Sequence, residues 1–282
     1  MSWLILGCGY VGQRLARALV SDGYPVRACA RDLAPLSSLA RLGVEIRPVD
    51  VTRPAELARA FDGLTAPNVV YSVPPPSLPA GEAVSRAAAA AERAGANRFV
   101  YLGSTGVYGD CAPDALVDED TPLAVADAQA LPRIADERAL FAVAGLDAIV
   151  LRLAAIYGPG RGLRERLRAG TLTLVDGGAG VFSRVHVDDI VGIIRLTVAR
   201  APTPSLFCVA DDRPSTQREY VEHLCAELGL PLPPSAPPDP SKPRHAVRGR
   251  RVSNQRVKQL GYVFRYPTFV DGERAIAAEL AV

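Results

Sequence analysis

Near the amino end, the apolar run Trp3-Leu4-Ile5-Leu6 gives way to Gly7-Cys8-Gly9-Tyr10-Val11-Gly12, and an amphipathic segment follows at once. A strand that empties into a glycine-rich turn opening a helix is the first half of a β-α-β crossover, which commits the following chain to a parallel sheet. Gly7 permits the tight turn, Gly9 removes the Cβ that would block a pyrophosphate, and Gly12 lets helix and strand pack closely. The amino end of the helix turns N–H groups and a partial positive charge toward the phosphates. Gly7, Gly9, Tyr10, Val11 and Gly12 are therefore read as a dinucleotide-binding turn.

The rest of the first half keeps the rhythm that this start demands. Short apolar runs at Val26–Ala30, Val44–Val49, Asn68–Val73, Arg98–Leu102 and Ala148–Leu153 alternate with helical patterns at 11–20, 36–42, 54–62, 82–94 and 133–144. Six strands so spaced predict a doubly wound parallel sheet, the Rossmann fold. Past residue 153 the pattern shortens. Strands are expected near 172–175, 183–187 and 206–209, helices over 189–199, 217–228 and from 268 onward, and an exposed proline-rich connection from Pro231 to Pro243. The expected division is a Rossmann portion at 1–170, with 183–210 returning to it. A small interleaved C-terminal α+β domain for substrate takes 171–182 and 211–282.

Composition narrows the function. A formal net charge of +2 gives no field that would draw the chain to nucleic acid or to a membrane surface. No apolar stretch is long enough to span a bilayer, and no basic region precedes an apolar leader, so a cytoplasmic protein is expected. The five cysteines form no C-x-x-C and no Cys/His cluster, which predicts buried free thiols and no metal. Of 32 basic residues only Lys242 and Lys258 are lysines.

The end of the second strand sets the expected cofactor. It reads Cys29-Ala30-Arg31-Asp32. A guanidinium at Arg31 suits a ribose 2′-phosphate, whereas Asp32 suits a free 2′-hydroxyl. NADP is expected ahead of NAD. Asp50, closing the third strand, stands where a carboxylate accepts from an adenine amino group; its alternative is a cap for the helix near Pro54.

Further segments complete a pattern: Val49-Asp50-Val51, Ser104-Thr105-Gly106-Val107-Tyr108-Gly109, Leu151-Arg152 through Tyr157-Gly158-Pro159-Gly160, and Arg184-Val185-His186-Val187-Asp188-Asp189. In this order they resemble the NAD(P)-dependent epimerase/dehydratase family of extended short-chain dehydrogenases/reductases, over nearly the whole chain. The resemblance implies that Asp50 and Val51 line the adenine pocket, Ser72, Val73 and Pro74 the cofactor-side strand end, and Tyr157 and Gly158 the nicotinamide loop. It also implies Ser104 as the active-site hydroxyl, beside Thr105. That family moves its proton through a Tyr-x-x-x-Lys pair, because a phenol works near neutrality only beside a cation.

Here the pair is replaced. Gln129 falls at the tyrosine position and Arg133 at the lysine position, and no lysine precedes residue 242. Arg133 keeps donors for a nicotinamide ribose; Gln129 transfers no proton. Tyr108 or Tyr157 then supplies a phenol from another direction, or Asp118 or Glu119 an acid, or there is no proton transfer. Packing is the competing role for both tyrosines, and a cap on its own loop the competing role for Ser104. His186 reads as structural or pocket-lining, with Asp188 and Asp189 as helix-start carboxylates.

From Lys242 to Arg265 there are eight basic residues and no acid. Arg248, Arg250 and Arg251 are concentrated there, which points to an anionic substrate such as a nucleotide sugar. Tyr262, Phe264 and Tyr266 at period two predict a small buried strand. The expected function is NAD(P)-dependent oxidoreductase or epimerase chemistry on a small anionic substrate. The alternative is a non-catalytic NADP-binding or redox-sensing protein. Family resemblance further implies a homodimer pairing the helix around Ala87–Ala91 with the helix 133–144.

Overall fold

The computed structural model describes residues 1–112, 115–239 and 249–280. Lys242 and Arg248, with the last four residues of the expected proline-rich connection, lie outside the described residues. In chain order the elements begin β1 (Trp3–Leu6), α1 (Tyr10–Ser21), β2 (Val26–Ala30), α2 (Ser37–Ala40), β3 (Glu45–Pro48), α3 (Pro54–Ala60), β4 (Asn68–Tyr71), α4 (Glu82–Arg93) and β5 (Arg98–Ser104). They continue with β6 (Leu116–Val117), α5 (Leu131–Phe141), β7 (Ala148–Leu153), β8 (Ala155–Tyr157), α6 (Leu163–Arg168), β9 (Leu174–Val175), β10 (Val181–Phe182), β11 (Arg184–His186) and α7 (Val187–Arg200). The last are β12 (Ser205–Val209), β13 (Ser215–Thr216), α8 (Gln217–Leu228), β14 (Ser235–Ala236), β15 (Gly249–Val252), α9 (Gln255–Gln259) and α10 (Phe269–Leu280).

A seven-stranded sheet in the order β12-β7-β5-β4-β1-β2-β3 forms the Rossmann layer. Its pairs from β3 through β5 are all parallel, and the order reverses beside β1. Six strands followed from the rhythm of the sequence; the seventh, β12, extends the sheet beyond β7. Strands β1 and β4 are buried along their whole length, as a sheet covered on both faces requires. The expected helix at 36–42 is shorter: Pro35 opens a 3-10 turn at Ala34–Leu36, and only Ser37–Ala40 is α-helical.

The chain divides into two compact units, 1–107 with 125–152 and 191–207, and 108–124 with 153–190 and 208–282. The division read in the sequence instead kept 108–124 and 153–170, and the returning residues 183–190 and 208–210, with the Rossmann portion. Pairing explains the difference: β6 joins the small sheet β13-β10-β15-β6, and β8 pairs only with β11, so both stretches belong to the second unit. A further pair, β14-β9, lies inside the stretch expected to be a plain connection.

The first unit's core runs from Leu4 to Val150 and includes Val69, Tyr71, Phe99 and Tyr101. Alanines let α4 come close to it, and Ala87, Ala88 and Ala91 are fully buried there. The expected strand through Tyr262, Phe264 and Tyr266 is absent. That segment is a loop, held because the Asp189 carboxylate accepts from the Tyr262 hydroxyl (2.8 Å) and from the Arg265 and Tyr266 N–H groups (2.7 and 3.1 Å). No helix among the described residues is long and apolar enough to cross a membrane.

Candidate active site

In the first unit, the Gly7 and Cys8 N–H groups both donate to the Cys29 carbonyl, at 3.0 and 2.8 Å, which fastens the glycine turn to the end of β2. The Ser72 N–H donates to the Leu6 carbonyl at 2.8 Å, which brings Ser72 and Val73 under the turn. Gly7 has φ +82°, and a Cβ there would lie 2.6 Å from Val73 Cγ2 and 2.9 Å from the Ser72 carbonyl. A Cβ on Gly12 would lie 3.1 Å from Ile5 Cγ2, inside the helix–strand contact. Gly9 is different: a Cβ there would meet only the Gly7 carbonyl, at 4.0 Å. Open space thus stands over Gly9, at the amino end of a helix that has no side-chain cap and no acid in its first turn. Phosphates fit this cradle by both shape and charge.

Arg31 is exposed at the end of β2. Asp32 Oδ1 accepts from the Ala34 N–H (2.9 Å), an Asx turn that starts the 3-10 segment. Asp50 Oδ1 accepts from the Thr52 hydroxyl and N–H (2.7 and 2.9 Å), which, with the Thr52 hydroxyl foremost, hold its carboxyl below the usual range. It does not cap α3, whose N-cap is Arg53 without a side-chain bond. Val51 is buried in the core beside it.

Ser104 ends β5, and its Oγ accepts from the Gly106 N–H at 3.0 Å. A Cβ on Gly106 would lie 3.2 Å from that Oγ and 3.9 Å from Arg133 Cδ, so the arginine stem runs past the serine loop. Thr105 is buried in the 3-10 turn that follows. Arg133 donates to the Gln129 carbonyl (3.2 Å), one helical turn back, while the Gln129 side chain is exposed. No phenol stands at the Gln129 position.

Two contacts that the sequence reading missed fix α5 and hence Arg133. Buried Asp136 accepts from the Tyr101 hydroxyl (3.0 Å) and the Gly81 N–H (3.1 Å), and burial raises its pKa. Next to it, Glu137 forms a buried ion pair with Arg152 at 2.7 Å. The available signal was charge where periodicity demands an apolar residue: Asp136 and Glu137 between Ile134 and Leu140, and Arg152 within an apolar strand.

In the second unit the remaining candidates have structural partners. The Tyr108 hydroxyl donates to the Asp118 carbonyl (2.6 Å) and lies 3.0 Å from Cys208 Sγ. Tyr157 is buried, its hydroxyl donating to the Thr268 carbonyl (3.4 Å), and burial drives its pKa far above the ordinary phenol value. A Cβ on Gly272 of α10 would collide with that hydroxyl. Gly158 and Arg161 exchange backbone hydrogen bonds of 3.0 and 2.9 Å in a tight turn. His186 is buried edge-on to Tyr157 and Tyr266, and its Nδ1 accepts from the Asp188 N–H at 3.2 Å, so that nitrogen carries no proton. Arg250, expected on substrate, is buried and donates to the Gly109 carbonyl at 2.8 Å. The same unit holds a cavity of about 220 Å³ lined by Tyr157, Tyr220, Phe182, Arg166 and Arg184 among others.

The NAD dependent epimerase/dehydratase family matches residues 3–210. A curated relative, the 3-diazoavenalumate denitrifying reductase of a Streptomyces species, is 30% identical in an alignment covering 96% of this chain and 99% of the relative. A conserved protein of unknown function from Silicibacter pomeroyi is 31% identical, with a TM-score of 0.85 and coverage of 99% and 98%. The dTDP-glucose 4,6-dehydratase DesIV of Streptomyces venezuelae, solved with NAD, shares the fold at 21% identity and a TM-score of 0.83, with coverage of 99% and 96%. With the glycine cradle, the sheet order and the matched segments together, the chain belongs to the NAD-dependent epimerase/dehydratase family.

Proposed function

We propose that the chain is an NAD(P)H-dependent reductase of a small anionic substrate that works without the family's phenol–lysine proton relay. The carrying observation is the neighbourhood of Ser104: Arg133 runs beside its loop, and the place of the phenol belongs to an exposed glutamine. Tyr108 and Tyr157 are buried with their hydroxyls bonded to carbonyl groups. Burial drives the Tyr157 phenol away from the neutrality that proton transfer needs, and the Tyr108 hydroxyl is spent on the Asp118 carbonyl.

Bound in its reduced form, the nicotinamide supplies a hydride. Gly9 leaves room for the pyrophosphate, and Arg133 offers donors to the adjoining ribose. The Ser104 oxygen already accepts from Gly106, so its O–H proton is the part that orients a substrate oxygen. Arg31, exposed and without an ion pair among the described residues, favours a 2′-phosphate, since the Asp32 carboxylate is taken up by its own turn. NADP is the preferred form on this reading.

Chemistry without a protein acid suits an acceptor that needs none. When the ring carbon of an aryl diazonium gains hydride, a C–H bond forms, the C–N bond breaks, and the electron pair leaves with dinitrogen. The Streptomyces relative, named as a denitrifying reductase of a diazo compound, supports this class over epimerisation.

The test follows the absorbance of reduced nicotinamide over a substrate panel that includes aryl diazonium carboxylates and nucleotide sugars. Turnover with the former is expected, falling about tenfold in Ser104→Ala through loss of one orienting hydrogen bond. Tight cofactor binding without turnover across the panel would establish the non-catalytic or redox-sensing alternative. Absence of affinity for either nicotinamide dinucleotide would leave only a vestigial pocket.

A further inference from the structure

The cavity of the second unit has an unusual charge balance. Arg184 is about 95% buried, yet it makes no ion pair among the described residues. Its Nη1 donates to Ser215 Oγ (2.6 Å), to the Ser215 carbonyl (3.3 Å) and to the Phe182 carbonyl (3.1 Å), while Nε and Nη2 bond to no described residue. The second cation of the lining, Arg166, is exposed and also lacks an ion pair among the described residues; no carboxylate lines the cavity. Two acids act on Arg184 from nearby without pairing with it: Asp211, whose N–H donates to the Arg184 carbonyl, and, more weakly, Glu219, whose carboxylate is engaged by Thr216 and Arg213. Burial pushes the Asp211 carboxyl up to about 8, which weakens the nearer of the two, and no described carboxylate bonds the guanidinium itself. A buried cation in that condition calls for an anion.

The rest of the wall is mainly apolar: the rings of Tyr157, Phe182 and Tyr220, with Ala155, Ile156 and Leu163. The Arg184 guanidinium carbon stands 4.5 Å from the Tyr220 ring centre and 5.7 Å from that of Phe182. The polar atoms that a sugar would use are already committed. The Tyr220 hydroxyl is bonded to Glu273, the Tyr157 hydroxyl to the Thr268 carbonyl, and the Gln217 amide to Val175 and Thr173. Among the lining side chains, what remains is ring and aliphatic surface and two guanidiniums. The volume, about 220 Å³, falls below the roughly 300–1,000 Å³ usual for drug-sized ligands. It takes one ring with a short acid arm and not a nucleoside diphosphate sugar.

We propose that this cavity binds an aryl carboxylate, its carboxylate on the unbonded edge of Arg184 with Arg166 at the mouth, and its ring against Tyr157, Tyr220 and Phe182. The inference rests on the reductase reading only for what the bound acid is for; binding itself stands or falls alone.

The experiment is calorimetry on the full chain without cofactor, using cinnamate, its uncharged amide, and UDP-glucose as competitor. Saturable cinnamate binding is expected, at least tenfold tighter than the amide and undisturbed by UDP-glucose. Arg184→Gln weakens it at least tenfold and Arg166→Gln severalfold. Because Arg184→Gln risks misfolding, Ala155→Phe is the second variant. Ala155 pairs with Arg184 across β8 and β11 and lines the cavity, so the added ring fills the space while keeping both charges. It abolishes cinnamate binding with an unchanged circular dichroism spectrum. Equal affinity for the amide, displacement by UDP-glucose, or undiminished binding in Ala155→Phe overturns the proposal. Hydride transfer to acceptors lacking a carboxylate, with no cinnamate bound, sinks this inference and leaves the reductase. Cinnamate binding without any nicotinamide oxidation does the reverse.

Discussion

The two units solve the same problem with different materials. In the first, strands of four to seven residues alternate with helices around one continuous apolar cluster, and the few buried acids of α5 are answered singly, Glu137 by Arg152 and Asp136 by the Tyr101 hydroxyl and the Gly81 N–H. In the second, most strands are two or three residues long and the apolar cluster is small, so buried polar bonds carry the connections. Arg164 of α6 illustrates this: it is buried, pairs with Glu273 at 2.6 Å and Glu227 at 2.8 Å, and Glu273 also takes the Tyr220 hydroxyl. Short strands make few ladder bonds, so specific side chains must fix what register cannot.

The contrast is broken most directly at Arg164. Arg164→Ala leaves Glu273 buried without its cation and should cost about 3–5 kcal/mol in denaturant unfolding. Hydrogen exchange should quicken first in α6, α8 and α10 while β1 to β5 stay protected. Uniform loosening of all seven main strands would mean that the units do not differ in this way.

The first unit offers a sharper version within one turn. Gly7→Ala forces a side chain into a left-handed backbone and against Ser72, and should lose about 2–4 kcal/mol. Gly9→Ala has open space and an ordinary φ of −87°, so stability should change by less than about 0.5 kcal/mol. Its cofactor affinity nevertheless should fall at least tenfold, because the Cβ occupies the pyrophosphate's place. Cofactor titration beside denaturation separates the two, and unaltered binding in Gly9→Ala would remove the cradle from the site.

This difference also explains what the sequence disclosed. Period-two and period-3.6 patterns write themselves wherever elements are long and bury one face, so β1 through β5, β7 and the glycine turn were legible. In the second unit the same residue types mislead. Tyr262, Phe264 and Tyr266 alternate like a strand but follow a loop whose N–H groups are answered by Asp189, a bond between residues far apart in sequence and invisible to local pattern. Arg250 sits in a basic run that suggested ligand, yet its guanidinium serves the Gly109 carbonyl. Arg184, visible in the sequence only as the start of the Arg184–Asp189 segment, is the buried cation without an ion pair among the described residues. Charge counts show how many guanidiniums there are; only the partners show which one is unspent.

The same logic predicts a pH signature at Asp211. Its folded carboxyl, raised chiefly by burial and restrained by Arg184 and the Arg213 N–H, sits at about 8, with Asp212 and Asp189 pushing it further up. An unfolded aspartate titrates near 4, so between about pH 4 and 8 the folded state holds a proton that the unfolded state has lost. Stability therefore declines as pH rises through that window, by at most about 1.4 kcal/mol per pH unit from this one group. Asp211→Asn should flatten the slope between pH 5 and 8, read from melting temperature at each pH. Cinnamate adds a second reading of the same proton: above pH 8 the ionised Asp211 begins to offset Arg184, so binding should weaken in the native protein and hold level in Asp211→Asn. If both proteins show the same pH profile, Arg184 has some other counter-charge, and its claim on an anionic ligand fails with it.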